Sequence, residues 1–357
     1  MPERGLPLEV SPGRPRSVFL VRDHTMDGLL DTIASELAAR GVEVIRGPAN
    51  TPGVVVPLPP ETVQNDLRRA DVAMFSSRWR CDRQTLSALP RLKGIVNATI
   101  GLETVDLEAA DEMGIIVGHG GAPEHVLSMA EAAIMLMMNL MYGLRQSERL
   151  MSTWRPADPE EGPHANMLFG ATIGIVGLGR IGRAVVDRLL PFGVKLLAYS
   201  PRAERSQIPD AVTLVDLATL MRESDLVGVF IAVRPDNKRL INADAIALMK
   251  RSAYLVNVAR GDAIDEPALI AALRDRRIAG AALDTFATEP LPQDSELRSL
   301  PNVILTPHIV GHTRQSIDAV IRVAVENILN VLEGRLPSIC KNPHVEPVWR
   351  RRSEAAL

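Results

Sequence analysis

Four polar residues in the last third of the chain follow three apolar runs. Arg260 follows YLVNVA, Asp284 follows GAAL with Glu289 five residues on, and His308 follows NVILTP. Short β-branched runs of this kind read as buried strands. In an open α/β sheet, ligands collect beyond the C-terminal ends of the strands. The residue types form a set. A guanidinium fork holds a carboxylate in two parallel charge-assisted bonds and polarises a neighbouring carbonyl. Imidazole titrates near neutrality and is the natural proton donor to a carbonyl oxygen. A nearby glutamate orients the imidazole and favours its charged form. Such a set suits hydride transfer to an α-keto acid, with His308 as acid in reduction and as base in the reverse direction. Each residue alone has a plainer reading. A strand-end arginine pairs with a surface acid, a lone histidine is structural, and Glu289 sits in a loop before a proline. It is their shared sheet edge that favours chemistry.

The donor of a hydride needs its own site. TIGIVGLGRIGRAVVDRLL contains Gly177-x-Gly179-x-x-Gly182 between a strand pattern and an amphipathic helix pattern. Gly177 permits the tight turn, Gly179 lets backbone approach a pyrophosphate, and Gly182 lets helix pack on strand. Arg180 and Ile181 open the helix, whose free N–H groups and dipole favour phosphate. A glycine-rich turn with no ligand is the alternative. An acid that holds a ribose is expected roughly 20 residues on, but KLLAYS ends at Ser200, and Asp210 is too far along. Ser200 carries no charge to repel a 2′-phosphate. Arg202 and Arg205 lie just beyond it, and Arg234 comes from the next-but-one strand end. This predicts NADP(H) as the preferred cofactor, with NAD(H) possible. Alternatively Arg202 and Arg205 are solvated, Glu204 partly offsets them, and either cofactor binds.

The elements that must carry these groups alternate strand and helix. Residues 16–120 repeat the unit from SVFLV onward, and a second, larger series runs from TIGIVG to NVILTP. This is the pattern of parallel α/β sheets, and 357 residues suit two domains. Between the series, residues 124–154 read as one long helical region rich in Met, Leu and Ala. The last helix pattern is SIDAVIRVAVENILNVLEG, and EPVWRRRSEAAL reads as a polar tail. A net charge of -3 gives no basic footprint, so no nucleic-acid partner is expected. Cys81 and Cys340 lie too far apart in sequence for a ligand-like motif, so neither a metal site nor a disulfide framework is expected. The N-terminal MPERGLPLEVSPGRPR has no apolar stretch of signal-peptide type. The apolar run 132–144 is shorter than the roughly 20 residues that span a bilayer. No membrane partner and a cytoplasmic location are therefore expected.

GIVGLGRIG, LVNVARGDAIDEPALIAALRDRRIAGAALDTFATEPLP and LPNVILTPHIVG together resemble the D-isomer-specific 2-hydroxyacid dehydrogenase family. The likeness extends to IGLETVDLEAADEMGIIV and SMAEAAIMLMMNL, and so covers nearly the whole chain between its tails. It implies two doubly wound parallel-sheet domains. A Rossmann cofactor domain (121–311) is inserted into a discontinuous, flavodoxin-like substrate domain (16–120 and 312–345). It implies a homodimer joined by the helical arm at 124–154. The family's catalytic Arg, Glu and His fall on Arg260, Glu289 and His308, and its nicotinamide-amide ligand on Asp284. Val258, Ala259 and Gly311 fall among cofactor-binding positions. Thr99, Ile100 and Gly101 fall on the substrate loop, with Arg260 also touching substrate.

Some positions depart from the family. FIAVRP (230–235) stands where a His-x-Pro-Leu-Thr type segment is common, so Arg234 replaces a small polar residue. Thr99 stands where many members have glycine. SSRWRC (76–81) offers Trp79 either to recognition or to packing, and Arg78 or Arg80 to a second acidic group or to solvent. The expected activity is NADPH-dependent reduction of a small 2-keto acid such as glyoxylate or hydroxypyruvate. The alternative is an NAD-dependent D-2-hydroxyacid or phosphoglycerate-type dehydrogenase, against which the lack of a regulatory extension after the terminal helix weighs. A reading of another class is a dinucleotide-sensing scaffold, since relatives of this family serve as corepressors. Formate dehydrogenase is disfavoured, because that branch lacks the glutamate found at Glu289.

Overall fold

The computed structural model describes residues 16–355 except 52–53, 77, 99, 153–164, 205 and 207. The chain forms two compact units. One comprises the described residues up to Ala122 together with those from Ile317 onward, and the other is Pro123–Ser316.

The first unit begins with β1 (Ser17–Leu20), α1 (Asp27–Ala39), β2 (Glu43–Arg46), β3 (Val56–Pro57), α2 (Pro60–Asn65) and β4 (Val72–Phe75). It continues with β5 (Trp79–Arg80), α3 (Arg83–Ser87), β6 (Gly94–Asn97), α4 (Leu107–Glu112) and β7 (Ile116–His119). Five strands form one parallel sheet in the order β2-β1-β4-β6-β7, which is the flavodoxin-like order. β1, β4 and β6 are buried throughout, because helices cover both faces of such a sheet. Successive side chains therefore serve two cores. Val18 and Leu20 pack on one face and Phe19 and Val21 on the other. Asp82 and Asp106 cap α3 and α4 by accepting from Thr85 and Ala109 N–H.

The second unit opens with α5 (Pro123–Met141) and α6 (Leu144–Ser152). The predicted continuous helix is thus two. Gly143, at φ +60°, ends α5, and the axis bends by 54°. The alternating series follows as β8 (Thr172–Val176), α7 (Arg180–Leu189), β9 (Lys195–Tyr199), β10 (Val212–Leu214), α8 (Leu217–Glu223) and β11 (Leu226–Val229). Then come α9 (Ala243–Ala247), β12 (Tyr254–Asn257), α10 (Glu266–Arg274), β13 (Gly280–Leu283) and β14 (Val303–Leu305). The seven strands are parallel in the order β10-β9-β8-β11-β12-β13-β14. The chain starts at β8, runs outward to β10, and returns beside β8 as β11. That reversal is the switch point at which doubly wound sheets bind dinucleotides.

Helix α11 (Arg314–Leu332), from Ile317 onward, and α12 (Glu346–Ala355) complete the first unit. α12 corrects the reading of EPVWRRRSEAAL as a polar tail. Trp349 is wholly buried, and its Nε1 donates to Lys93 O at 2.8 Å. Arg352 donates to the carbonyls of Leu89, Leu92 and Met113, satisfying chain ends that no helix bond reaches. One anchor among arginines is enough to dock a short helix, and composition alone hides it. No single described helix is long and apolar enough to cross a membrane.

Candidate active site

The glycine loop leaves β8 under tight steric limits. Gly177 has φ +102°, and a Cβ there would lie 2.7 Å from Ile231 Cγ2 and 2.9 Å from Ile231 N. A Cβ on Gly182 would lie 2.1 Å from Gly177 O. Gly179 is the opposite case, with no atom within 4 Å of where its Cβ would be. It is the N-cap of α7 and supplies no side-chain cap, so the first N–H groups and the dipole of α7 face outward. Open backbone at a helix start fits a pyrophosphate. Arg180 is exposed there and Ile181 is half-buried. Ser200 Oγ accepts from Leu178 N–H at 3.3 Å, so it braces the loop. Arg202 is exposed and pairs with Asp236 at 2.8 Å. Arg234 is exposed on the same turn as Asp236. Arg205 lies outside the described residues.

Arg260 is delivered by a buried asparagine. Asn257, the last residue of β12, is wholly buried. Its Nδ2 donates to Arg260 O at 2.9 Å, and its Oδ1 accepts from Ala259 N–H at 3.0 Å. Val258 and Ala259 are buried within this turn, and Arg260 emerges half-buried. The next residue, Gly261, lies against the loop that follows β13. A Cβ on it would sit 1.9 Å from Phe286 C. Only a glycine lets the arginine loop press on the Asp284–Phe286 backbone.

Asp284 is 1% exposed. Its Oδ1 accepts from Thr306 Oγ1 at 2.7 Å, Ile309 N–H at 3.1 Å and Val310 N–H at 3.2 Å. Burial pushes its carboxyl above the usual range, and those donors partly offset the shift. Asp284 therefore anchors the loop that bears His308, a role that sequence reading did not give it. Oδ2 takes none of those three bonds. Between the anchored positions, His308 has φ +59°. A side chain holds this left-handed conformation only where its surroundings impose it.

Glu289 completes the pair. Its Oε2 lies 2.8 Å from His308 Nδ1, while its Oε1 accepts from Phe286 N–H at 3.1 Å. A carboxylate only accepts, so Nδ1 carries the hydrogen in this contact. Nε2 is then the nitrogen free to exchange a proton with a ligand. The His308 side chain is 38% exposed and that of Glu289 is 15% exposed, so the imidazole is presented and its partner is sheltered.

The start of α5 fastens the other side of this loop. Ser128 Oγ donates to Gly311 O at 2.8 Å and lies 3.1 Å from Thr313 Oγ1. Gly311 faces Met129 so closely that a Cβ would meet its Sδ. His125 Nδ1 lies 2.9 Å from Ser316 Oγ. Burial, then the charges of His312, Arg180, Arg260 and His308, push the His125 imidazole down to about 4. Sequence reading passed over His125, Ser128, Asn257, Gly261 and Thr306. Asn257 did leave a signal, as a polar residue closing an otherwise apolar strand.

In the first unit, Asn97 Nδ2 donates to Gly101 O at 2.8 Å. Ile100 is half-buried and Gly101 is buried, while Thr99 lies outside the described residues. Trp79 is 3% exposed, and its Nε1 donates to Arg22 O at 2.8 Å. Of its two expected uses, packing is the one its surroundings support. Arg78 is half-buried and Arg80 is exposed.

This geometry can be set beside known proteins. The family model for D-isomer specific 2-hydroxyacid dehydrogenase, NAD binding domain, matches residues 134–310. A glyoxylate reductase of Thermofilum pendens is 34% identical over 294 residues, which cover 80% of this chain and 85% of that one. A D-3-phosphoglycerate dehydrogenase of Methanocaldococcus jannaschii is 35% identical over 286 residues, which cover 79% of this chain but 54% of that one. The crystal structure of a Thermus thermophilus protein matches with a TM-score of 0.77 and 31% identity, over 91% of this chain and 99% of that one. By this family match and these relatives, the chain belongs to the D-isomer-specific 2-hydroxyacid dehydrogenase family.

Proposed function

We propose that this protein reduces a small 2-keto acid of the glyoxylate or hydroxypyruvate class to the 2-hydroxy acid, with NADPH preferred over NADH. The observation that carries the reading is the Glu289–His308 pair at 2.8 Å, on a loop that Asp284 anchors beside Arg260. Gly177, Gly179, Arg180, Ile181, Gly182, Val258, Ala259 and Gly311 are assigned to holding the cofactor, and Asp284 Oδ2 to its nicotinamide amide. When bound, the cofactor supplies the hydride. Arg260 holds the substrate carboxylate and draws electron density from the adjacent carbonyl. His308 Nε2 donates a proton to the carbonyl oxygen as negative charge develops there. Glu289, fixed by Phe286 N–H, keeps the imidazole in the tautomer with hydrogen on Nδ1. Thr99, Ile100 and Gly101 are assigned to the substrate loop by family resemblance.

NADPH preference rests on the missing acid at Ser200 and on Arg202 two residues beyond it. A panel of keto acids assayed with both cofactors tests the whole reading. Glyoxylate and hydroxypyruvate should lead the panel, with kcat/KM higher for NADPH. A protein that binds dinucleotide but turns over no keto acid would support the scaffold reading instead. A phosphoglycerate-type activity is the second reading, favoured by the M. jannaschii relative, and phosphohydroxypyruvate belongs on the panel for that reason.

A homodimer through α5 and α6 is also proposed. Met135, Tyr142, Leu144 and Met151 are exposed there, an apolar surface that a partner would cover. A cytoplasmic location is proposed from the two free cysteines, which suit a reducing compartment.

A further inference from the structure

β9 and β11 flank β8, so the loops beyond their C-terminal ends face each other over the switch point of the second sheet. Each loop is a defined turn. Ala203 N–H donates to Ser200 O at 3.0 Å, which puts Arg202 at the tip of the first. In the second, Asn237 Nδ2 donates to Ala232 O at 3.0 Å and its Oδ1 accepts from Arg234 N–H at 2.6 Å, which fixes the position of Asp236. Arg202 Nη2 meets Asp236 Oδ2 at 2.8 Å across the gap, from positions 34 residues apart in sequence. The acid absent at the end of β9 is therefore replaced by one from the end of β11, and it occupies the arginine expected to hold a 2′-phosphate.

We propose that Asp236 is a cofactor-selectivity gate. With NADP(H), the 2′-phosphate displaces the Asp236 carboxylate from Arg202 and takes its place. With NAD(H), the Arg202–Asp236 pair stays closed, and its carboxylate is the acceptor available to the ribose hydroxyls. The inference rests on the reading that Arg202 is the 2′-phosphate ligand. Both side chains are more than half exposed, at 61% and 63%, so solvent competes for the pair and it opens readily. A phosphate dianion wins that competition, but Asp236 reduces its gain by holding the guanidinium and by repelling the phosphate. Asp236 thus keeps selectivity modest instead of absolute.

The test is calorimetric binding of NADPH and NADH to the full-length protein and to its Asp236→Asn variant, with no substrate present. The affinity ratio of NADPH to NADH should rise about fivefold in the variant, in line with the strength of an exposed ion pair. Asp31→Asn, which breaks an exposed ion pair with Arg46 in the other unit, should leave the ratio unchanged. An unchanged ratio in Asp236→Asn, or an equal rise in Asp31→Asn, would overturn the gate. The reading beneath it fails separately. If Arg202→Ala weakens both cofactors equally, Arg202 does not hold the 2′-phosphate. If wild type prefers NADH but Asp236→Asn still shifts the ratio, the preference was wrong and the gate stands.

Discussion

The two units end one inner strand with the same device and different cargo. In the five-stranded sheet, Asn97 ends β6 and its side chain ties back Gly101 O. In the seven-stranded sheet, Asn257 ends β12 and its side chain ties back Arg260 O. Both asparagines are wholly buried, and both hold a loop at the C-terminal edge of a parallel sheet. The first loop offers main-chain groups, and the second offers a guanidinium. Both sheets also join neighbouring strand-end loops through backbone: in the first, Cys81 N–H donates to Thr104 O at 2.8 Å, and in the second, Gly261 lies against Phe286. Strand topology provides the edge, but loop-to-loop contact turns separate polar residues into one constellation.

That contrast can be broken most severely at Gly261. Gly261→Ala places a methyl group within bonding range of Phe286 backbone, which cannot yield without moving the Asp284 loop. We expect a loss of about 3 kcal/mol in thermal unfolding and a fall in kcat/KM of roughly a hundredfold. Wild-type activity in that variant would deny the loop contact any role.

The two asparagines sharpen the comparison directly. Asn97→Ala takes the side-chain donor from Gly101 O, and Asn257→Ala takes the acceptor from Ala259 N–H, so each should cost about 2 kcal/mol of stability. Their kinetics should differ. Asn257→Ala frees the Arg260 turn and should lower kcat/KM at least about tenfold, since polarisation by a misplaced fork is weakened. Asn97→Ala should act mainly on KM. Steady-state kinetics on both proteins decide whether the devices are equivalent.

His125 gives a pH signature confined to the second unit. Its folded pKa, about 4, lies below the ordinary 6.5. The unfolded chain therefore takes up a proton as pH falls through 6.5, while the folded protein does so only near 4. Stability is full above pH 6.5 and is lost between there and pH 4, by about 3 kcal/mol. His125→Asn should flatten this part of the Tm–pH curve. An unchanged acid slope would show that other groups set it. The smallest effect belongs to the first unit. Arg352→Ala should cost about 1 kcal/mol through its three lost carbonyl contacts and leave kcat unchanged.

What was legible in the sequence was local. Strands buried on both faces read as apolar runs, and Gly177, Gly179 and Gly182 announce a turn whose steric reasons are now visible. Arg260, Glu289 and His308 stand out in the sequence because each lies in the segment that leaves an apolar strand. The structure adds long-range pairings that no spacing encodes. Asp284 reads as a cofactor ligand, but its Oδ1 is taken up by Thr306, Ile309 and Val310. Arg202 reads as a phosphate ligand, and its pairing with Asp236 from another loop is what spacing does not encode. Trp349 was hidden by the arginines around it, and Trp79 gave no sign of which side of a loop it would face. The break between α5 and α6 was signalled by Gly143, but the apolar run around it masked the signal.

The central claim is that His308, held by Glu289, delivers the proton during reduction of a 2-keto acid. The most direct measurement is kcat/KM for NADPH-dependent glyoxylate reduction by His308→Ala, alongside NADPH affinity by calorimetry. The account predicts a loss of about a thousandfold in kcat/KM, the scale of a removed general acid, with NADPH affinity changed less than about threefold. Full turnover in His308→Ala, with NADPH still bound, would contradict it.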